Sequence, residues 1–352
     1  MGFQVQGSLA EVAVAEEYNA TPALAFGSGA AGIAATNWTR LRITRFNGGL
    51  DKNFFESNEL RSDRETAAML AGNRRADIDI SGELGPESHM HLLRQLFCIA
   101  TDPWVDDATA NEWTLNPGTL PPSGGLCFSK GFVDLDSFYV LKGGRIDNMS
   151  FDFPQEGTVT FGARVLCTAE EAVSATPPYA ANPLIEPEGD PFESNLTTIK
   201  MVTYNAAETL ANFLSGAAFS AAETACAGGR MSVGNTADGN SYVLNSYSRY
   251  SIPFGRRRVE GSLNFLYTAD THYTDFLAGT EKAIEISFVQ GSYYCKMILP
   301  RVKYTGRPAL DIQGEQGIRY DVPFRALRHP VVGKSILCKL KNNKTTFVLG
   351  RA

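Results

Sequence analysis

The motif with the clearest chemical precedent lies near the N-terminus, where Gly27-Ser28-Gly29-Ala30-Ala31-Gly32 matches the G-x-G-x-x-G pattern of dinucleotide-binding loops. Asp51 stands near the acidic position that such sites use to bind a ribose. A dinucleotide site also needs a strand before the glycines and a full helix after them. Here Thr21-Pro22 precedes the glycines, a strand is predicted to begin near Trp38, and no βαβ alternation follows. The motif therefore favours a flexible arm over a cofactor site.

Histidine and cysteine, which often bind metals or act as nucleophiles, show no spacing typical of either role. His89 and His91 are two residues apart on a predicted helix, whereas metal ligands on one helix face recur about every four residues. The chain has only four histidines and no G-x-S-x-G motif. Its cysteines are scattered without a C-x-x-C pair, and we expect them to be reduced and mostly buried: Cys98, Cys127, Cys167, Cys226, Cys295 and Cys338. We therefore predict no catalytic residue, no cofactor and no metal site, and we do not expect an enzyme.

Two charged clusters could bind a partner. Arg256-Arg257-Arg258 resembles a phosphate clamp, but a basic cluster at the start of a strand is more typical of an interface or a solvated turn. The segment from Glu56 to Arg64 interleaves both charge signs, which across an interface gives register and specificity more than affinity. We interpret this segment as a contact between subunits, with a solvated loop as the alternative.

Composition and charge narrow the class of protein. The chain has 352 residues, enough for two domains, and its many Gly, Phe and Tyr residues favour strands and turns over helical bundles. A net charge of −6 argues against a protein that holds nucleic acid by its phosphates. No apolar run reaches the length of a membrane-spanning helix and no signal peptide is apparent, so we expect synthesis in a cytoplasm.

Hydrophobic periodicity predicts a mainly β chain with two short helices, over residues 87–99 and 269–277. The clearest strand pattern is the alternation of Ala76, Ile78 and Ile80 with Asp77 and Asp79. Strands are predicted over residues 37–46, 76–84, 126–132, 137–142, 145–153 and 157–167 in the first half. In the second half they are predicted over residues 198–204, 242–253, 259–267, 283–289, 293–304, 318–326 and 335–349. Residues 47–73 and about 205–240 are predicted to be long loops.

The chain contains an internal repeat. The segment that begins Gly72-Asn73-Arg74-Arg75 matches the one that begins Gly255-Arg256-Arg257-Arg258 without a gap, and the same offset carries Asp77 onto Glu260. We therefore predict an N-terminal arm (1–36), a first unit (37–175), a Pro-rich acidic linker (176–194), a second unit (195–327) and a C-terminal extension (328–352).

Several segments, in order, resemble the tail tube proteins of phages with long, non-contractile tails. The stretch from Glu17 to Pro22 is similar to the family's opening, although it lacks the family's Gly. Residues 57–64 resemble the family's S-N-E-[IL]-R-S-D-R loop and residues 80–84 its I-S-G-E-L strand. Later matches are residues 300–304 (P-R-V-K-Y), residues 322–327 (V-P-F-R-A-L) and a pattern formed by Phe132, Phe138, Gly144, Arg145, Ile146, Asn148, Met149 and Ser150. Together they cover most of residues 15–327.

The resemblance implies two tandem β-sandwich or barrel units, each with one short flanking helix, in a virion structural protein made in the host cytoplasm. It further implies stacked rings that form a tail tube for genome delivery. The implied partners are other copies of the chain, a tape measure protein, and tail terminator and distal tail proteins, with transient passage of DNA and no membrane. Two units per chain predict three chains in a ring of pseudo-six-fold symmetry, and six chains with the second unit outside is the alternative.

The tube hypothesis assigns roles to two sets of residues. A hydrophilic, predominantly acidic lumen would let DNA slide without adhering, and the predicted lumen-facing acids are Asp77, Asp79, Glu83 and Glu260. The predicted contact loop between rings contains Glu56, Ser57, Glu59, Arg61, Asp63 and Arg64. The rival class is a β-sandwich binding or adhesion module, which would need a signal peptide and would pair its cysteines.

Overall fold

Strands dominate the computed structural model, which describes residues 10–17, 26–30, 33–57, 68–99, 105–107, 111–118, 124–219, 222–223, 225–311 and 318–343. The first half contains β1 (Ala10–Glu16), β2 (Thr39–Arg40), β3 (Arg45–Glu56), β4 (Met69–Glu83), α1 (Met90–Leu96), β5 (Val105–Asp107), β6 (Glu112–Leu115), β7 (Leu126–Phe132), β8 (Ser137–Phe153), β9 (Thr160–Cys167) and β10 (Ala169–Glu170). The second contains β11 (Thr198–Thr203), α2 (Leu210–Ser215), β12 (Cys226–Gly234), β13 (Arg258–Leu266), α3 (Thr271–Ala278), β14 (Lys282–Gln290), β15 (Tyr293–Tyr304), β16 (Ala309–Asp311), β17 (Arg319–Ala326) and β18 (Leu337–Lys341). The mainly β class predicted from the sequence is confirmed.

The strands of the two halves pair in the same order, always antiparallel. In the first half the order is β1–β7–β8–β9–β4–β3. In the second half it is β11–β14–β15–β17–β13–β12. A β-bulge interrupts both series at the same place, between Leu126 and Phe128 where β7 pairs with β8 and between Lys282 and Ile284 where β14 pairs with β15. The helices α1 and α3 follow β4 and β13.

The two halves share one sheet and one core. Strand β12 of the second half pairs with residues 148–153 of β8 in the first half, and we call this pairing the internal seam. It makes β3–β4–β9–β8–β12–β13–β17 a continuous antiparallel series, which we call the shared sheet. Behind it, the ring centroid of Phe153 lies 5.6 Å from that of Phe288, which lies 6.4 Å from that of Phe192. Burial of these large rings joins the halves by the hydrophobic effect.

Alternating residues place one face of the shared sheet against the core, as the sequence predicts for β4. Ala76, Ile78 and Ile80 are buried, whereas Asp79 and Glu83 on the opposite face are exposed. Strand β13 repeats the pattern with Val259, Leu263 and Phe265 buried.

Three predictions of local structure are wrong: two predicted loops contain strands that sheet pairing creates, and one predicted strand is replaced by an isolated bridge. Within the predicted arm, β1 pairs with β2 and β7 and its residues 12–16 are buried. Residues 47–73 include most of the hairpin of β3 and β4. The predicted loop 205–240 contains α2 and β12, and the predicted strand 242–253 has only an isolated bridge between Tyr242 and Arg249.

The predicted linker and the C-terminal segment are packed against the sheets. Tyr179 lies on Trp38 with ring centroids 6.1 Å apart, and buried Phe192 donates its backbone N–H to the carbonyl of Leu84 at 2.9 Å. Strand β18 pairs with β15 on one side and β6 on the other, so it ties the two halves together.

Helix α1 is anchored by a buried carboxylate. Glu16 of β1 lies 3.0 Å from Nδ1 of His91 and forms an ion pair with Arg94, and the side chains of Glu16 and Arg94 are only 4% and 1% exposed. Burial raises the pKa of Glu16, but attraction to Arg94 and the hydrogen bond with His91 outweigh burial, so the pKa lies below its usual value. The carboxylate is therefore ionised at neutral pH.

Glu16→Gln is expected to lower the free energy of unfolding by about 3 kcal/mol at pH 7, because it removes a buried charge that pairs with buried Arg94. Since the folded-state pKa of Glu16 is depressed, its contribution is present above the usual value of 4.5 and is lost as the pH falls through the folded-state value. Urea unfolding at several pH values measures this, and the difference from wild type should shrink in acid. Glu11→Gln is the control because Glu11, also on β1, pairs with more exposed Arg40, and it should cost less than about 1 kcal/mol. Equal losses of unfolding free energy in the two variants would contradict the role of Glu16 as the buried anchor of α1.

Candidate functional site

The glycine motif near the N-terminus binds a carboxylate of its own chain. Glu17 accepts hydrogen bonds from the backbone N–H groups of Gly27 at 2.8 Å, Gly29 at 3.0 Å and Gly143 at 2.9 Å. Burial raises the pKa of Glu17, and these hydrogen bonds oppose the rise. Among the described residues the motif is followed by a 3-10 turn over Ala35–Asn37, not by the long helix of a dinucleotide site. The glycine motif is thus a backbone nest that binds an anion, and the carboxylate of Glu17 from the same chain occupies it.

The histidines and cysteines considered as metal ligands or nucleophiles lie in mostly buried positions. His89 and His91 are both buried, and burial lowers the pKa of His89 to about 4. All six cysteines are free thiols, with the sulfur atoms of Cys295 and Cys338 4.0 Å apart. In the part of the chain that the structure describes, no group of three or more His, Cys, Asp or Glu side chains could hold a metal ion.

The most extensive polar feature is the exposed face of the shared sheet, which we call the polar face. The strand registers place Asp77, Asp79, Glu83 and Glu260 on this one face, so the structure brings the four predicted acids to the same surface. Its acidic members are Asp51, Glu56, Asp77, Asp79, Glu83, Asp152, Glu260 and Asp321. Its arginines are Arg45, Arg75, Arg164, Arg230, Arg258, Arg319 and Arg325. The face therefore carries both signs of charge in nearly equal number.

Ion pairs organise the polar face. Glu260 of β13 pairs with Arg325 of the adjacent β17, and Asn264 donates to Asp321 at 2.9 Å. Asp77 pairs with Arg249, whose side chain is 2% exposed and which also donates to the carbonyl oxygen of Cys167 at 2.9 Å. Burial lowers the pKa of Arg249, but the hydrogen bond and attraction of Asp77 more than offset this and raise it. Asp77 thus anchors the β12–β13 connection, a role that its sequence pattern did not reveal.

The basic clusters pack within the chain. Arg257 donates to the carbonyl oxygen of Gly118 at 3.3 Å, and Arg258 begins β13 on the polar face. The guanidinium carbon of Arg74 lies 5.3 Å from the ring centre of Tyr247, and the Tyr242 hydroxyl donates to the carbonyl oxygen of Arg74 at 2.9 Å. These contacts within the chain indicate a structural role for the arginines rather than a phosphate clamp.

The β3–β4 hairpin extends to an exposed apolar tip. Its large exposed side chains are Phe54, Phe55, Met69 and Leu70. Glu56 ends β3, and the N–H of Ser57 donates to the carbonyl oxygen of Ala68 at 3.0 Å. The other predicted contact residues, Glu59, Arg61, Asp63 and Arg64, lie outside the described residues. Exposed apolar patches of this kind mark interaction surfaces.

Most of the chain matches a known protein family. The sequence model of the family described as phage tail tube protein matches residues 7–326. No curated protein matches the chain. Within the described residues, no helix has the length and apolar character needed to cross a membrane.

Asp77→Asn is expected to lower the free energy of unfolding by about 2 kcal/mol, because it leaves the buried Arg249 guanidinium without its counter-charge while partial exposure of Asp77 moderates the loss. Asp79→Asn, two residues along β4 on the same face, should change it by less than about 0.5 kcal/mol, since Asp79 is exposed. Urea unfolding of both variants at pH 7 measures the difference. Similar changes in unfolding free energy for the two variants would show that Asp77 does not anchor Arg249.

Proposed function

The chain belongs to the phage tail tube protein family, and we propose that three copies of it close into a ring and that such rings stack into the tube through which the genome is delivered. Membership of the family makes the chain a structural protein of the virion tail that self-assembles into a tube. The proposal adds the number of chains, the surface that lines the channel and the contact between rings.

The internal seam is the observation that carries the three-chain ring. Two halves with the same order of strand pairing lie side by side in one sheet, as two neighbouring positions of a ring would. A sheet that continues from half to half can close on itself after three chains, which removes its exposed edges. The alternative ring of six chains would need the second half to lie outside the tube wall, and its place within the shared sheet argues against that.

We assign the polar face to the lumen, with Asp77, Asp79, Glu83 and Glu260 among the residues that line it. Charge on this face is mixed, and carboxylates face guanidinium groups across neighbouring strands, as Glu260 faces Arg325. Such a surface is wettable but offers no basic track to hold phosphates, so DNA can pass without strong binding. The opposite face is committed to the core and is unsuited to this role.

The β3–β4 hairpin and the loop beyond it are assigned to the contact between rings. The exposed apolar tip at Phe54, Phe55, Met69 and Leu70 supports this assignment because it would gain by burial against a neighbour. The adjoining charged loop, from Glu56 through Arg64, would set the register. The ends of the tube would then meet the tail terminator and distal tail proteins, with a tape measure protein inside during assembly.

The purified protein is expected to form rings or tubes by negative-stain microscopy, with three chains per ring by native mass spectrometry. The physical reason is that each chain supplies two of the six equivalent positions. Six chains per ring would overturn the three-chain proposal, and a stable monomer at high concentration would overturn assembly by this chain alone.

Arg61→Glu combined with Arg64→Glu should leave the monomer folded and stop tube growth, because rim ion pairs worth up to about 1 kcal/mol each recur around every ring and become repulsive. Circular dichroism checks the fold and microscopy measures tube length. The matched control, Arg61→Lys with Arg64→Lys, keeps the charge and should still give tubes. Tubes of normal length from the glutamate variant would show that the loop is solvated and does not join the rings.

A further inference from the structure

Equivalent helices in the two halves differ sharply in exposure. Every residue of α1 is buried, whereas His272 is the only buried residue of α3. Leu277 of α3 is 66% exposed and borders a cavity of 310 Å³ lined also by Tyr267, Tyr273 and Arg307. The equivalent helix of the first half is completely buried, so α3 and the cavity beside it form an uncovered surface in the second half.

The internal seam shows how the second half covers the first. Strand β12 pairs with residues 148–153 of β8, and Asn235 follows it directly. The side-chain Nδ2 of Asn235 donates to the carbonyl oxygens of Leu96, at the end of α1, at 3.0 Å and of Ile146 at 3.2 Å. One strand edge and one polar side chain therefore close the C-terminal end of α1.

Strand register identifies the counterpart of each partner in this seam. The pair Asp51–Arg75 between β3 and β4 corresponds to Gly234–Arg258 between β12 and β13, so residues 46–51 match residues 229–234 and Lys52 matches Asn235. The pair Ser150–Gly162 between β8 and β9 corresponds to Ala309–Asp321 between β16 and β17. The counterpart of residues 148–152 is thus residues 307–311.

Both counterparts have an open edge. Within the described residues, β3 pairs with β4 alone and β16 with β17 alone. The outward N–H of Leu50 donates instead to a carboxylate oxygen of Glu170 at 3.2 Å, at the position where Val233 faces Met149 in the internal seam. Open edges of this kind are templates for another strand. The carboxylate of Glu170 can be displaced from the Leu50 N–H by a backbone carbonyl of such a strand.

We propose that β3 of one chain pairs antiparallel with β16 of a second copy, so that the internal seam recurs between chains. This inference rests on the proposed ring of three chains. In the register of the internal seam, Gly49 faces Ala309 of the second copy and Asp51 faces its Arg307. Lys52 then reaches the last carbonyl groups of α3, where a positive charge is favoured by the helix dipole.

Charge complementarity supports this occupant over an unrelated protein. The internal pair Gly234–Asn148 is neutral and its counterpart Asp51–Arg307 is oppositely charged. The seam within the chain therefore has a neutral pair at this position, whereas the proposed seam between chains has a charged pair. Opposite charges across an antiparallel pair stabilise it, whereas like charges directly opposite destabilise it.

A cysteine pair at the seam tests the register. Asp51→Cys with Arg307→Cys should form a disulfide between neighbouring chains when assembled rings are oxidised with copper phenanthroline and dioxygen, because facing residues of antiparallel strands lie within disulfide range. The expected product on a non-reducing gel is a covalent trimer of three times the monomer mass. Asn148→Cys with Gly234→Cys is the matched control and should cross-link within one chain, leaving the monomer mass unchanged.

The outcomes separate the seam from the proposed function. Rings of the double-cysteine variant without the intermolecular cross-link would overturn the seam and leave the tube intact, whereas failure of the unmodified chain to form rings would overturn both. Each single-cysteine variant should give no trimer. A charge exchange gives a second readout: Asp51→Arg should abolish rings and Asp51→Arg with Arg307→Asp should restore them. If the double variant assembles no better than Asp51→Arg, the proposed pairing is wrong.

Discussion

Backbone hydrogen bonding at the edges of β-strands is the constraint on which this structure depends. A strand that ends a sheet exposes N–H and C=O groups that must bind water, a side chain or another strand. In the chain, β12 satisfies the edge of β8 and thereby merges two sets of strands into one sheet. Within the described residues, the same constraint leaves β3 and β16 each with one open edge.

The two faces of that sheet follow from the period of two along each strand. One face buries large aromatic rings, including those of Phe153 and Phe288, in a core common to both halves. The other face is polar and carries carboxylates and guanidinium groups in rows across the strands. A face with both signs of charge fits a surface that must stay wet without holding a polyanion.

Two elements missed by sequence analysis show why local pattern was insufficient. β3 contains Gly48-Gly49 and β12 contains Gly228-Gly229, and such pairs indicate turns. In the structure a Cβ on Gly48 would lie 2.2 Å from the carbonyl oxygen of Asp77, and one on Gly229 would lie 2.7 Å from that of Ser262. These glycines permit close approach of a neighbouring strand. The requirement comes from a residue distant in sequence, so no local window could contain it.

The sequence by itself determined the mainly β class, the alternating faces of β4 and β13, both longer helices and the family, because these depend on periodicity and ordered motifs within short windows. The sequence also placed Asp77, Asp79, Glu83 and Glu260 on the polar faces of their strands. Only the tertiary structure decided that Glu17 fills the glycine nest, that Asp77 binds Arg249 and that β12 adds to β8. Those outcomes depend on which distant segments meet, and contact between them is set by the packing of the whole chain rather than by the pattern of any part.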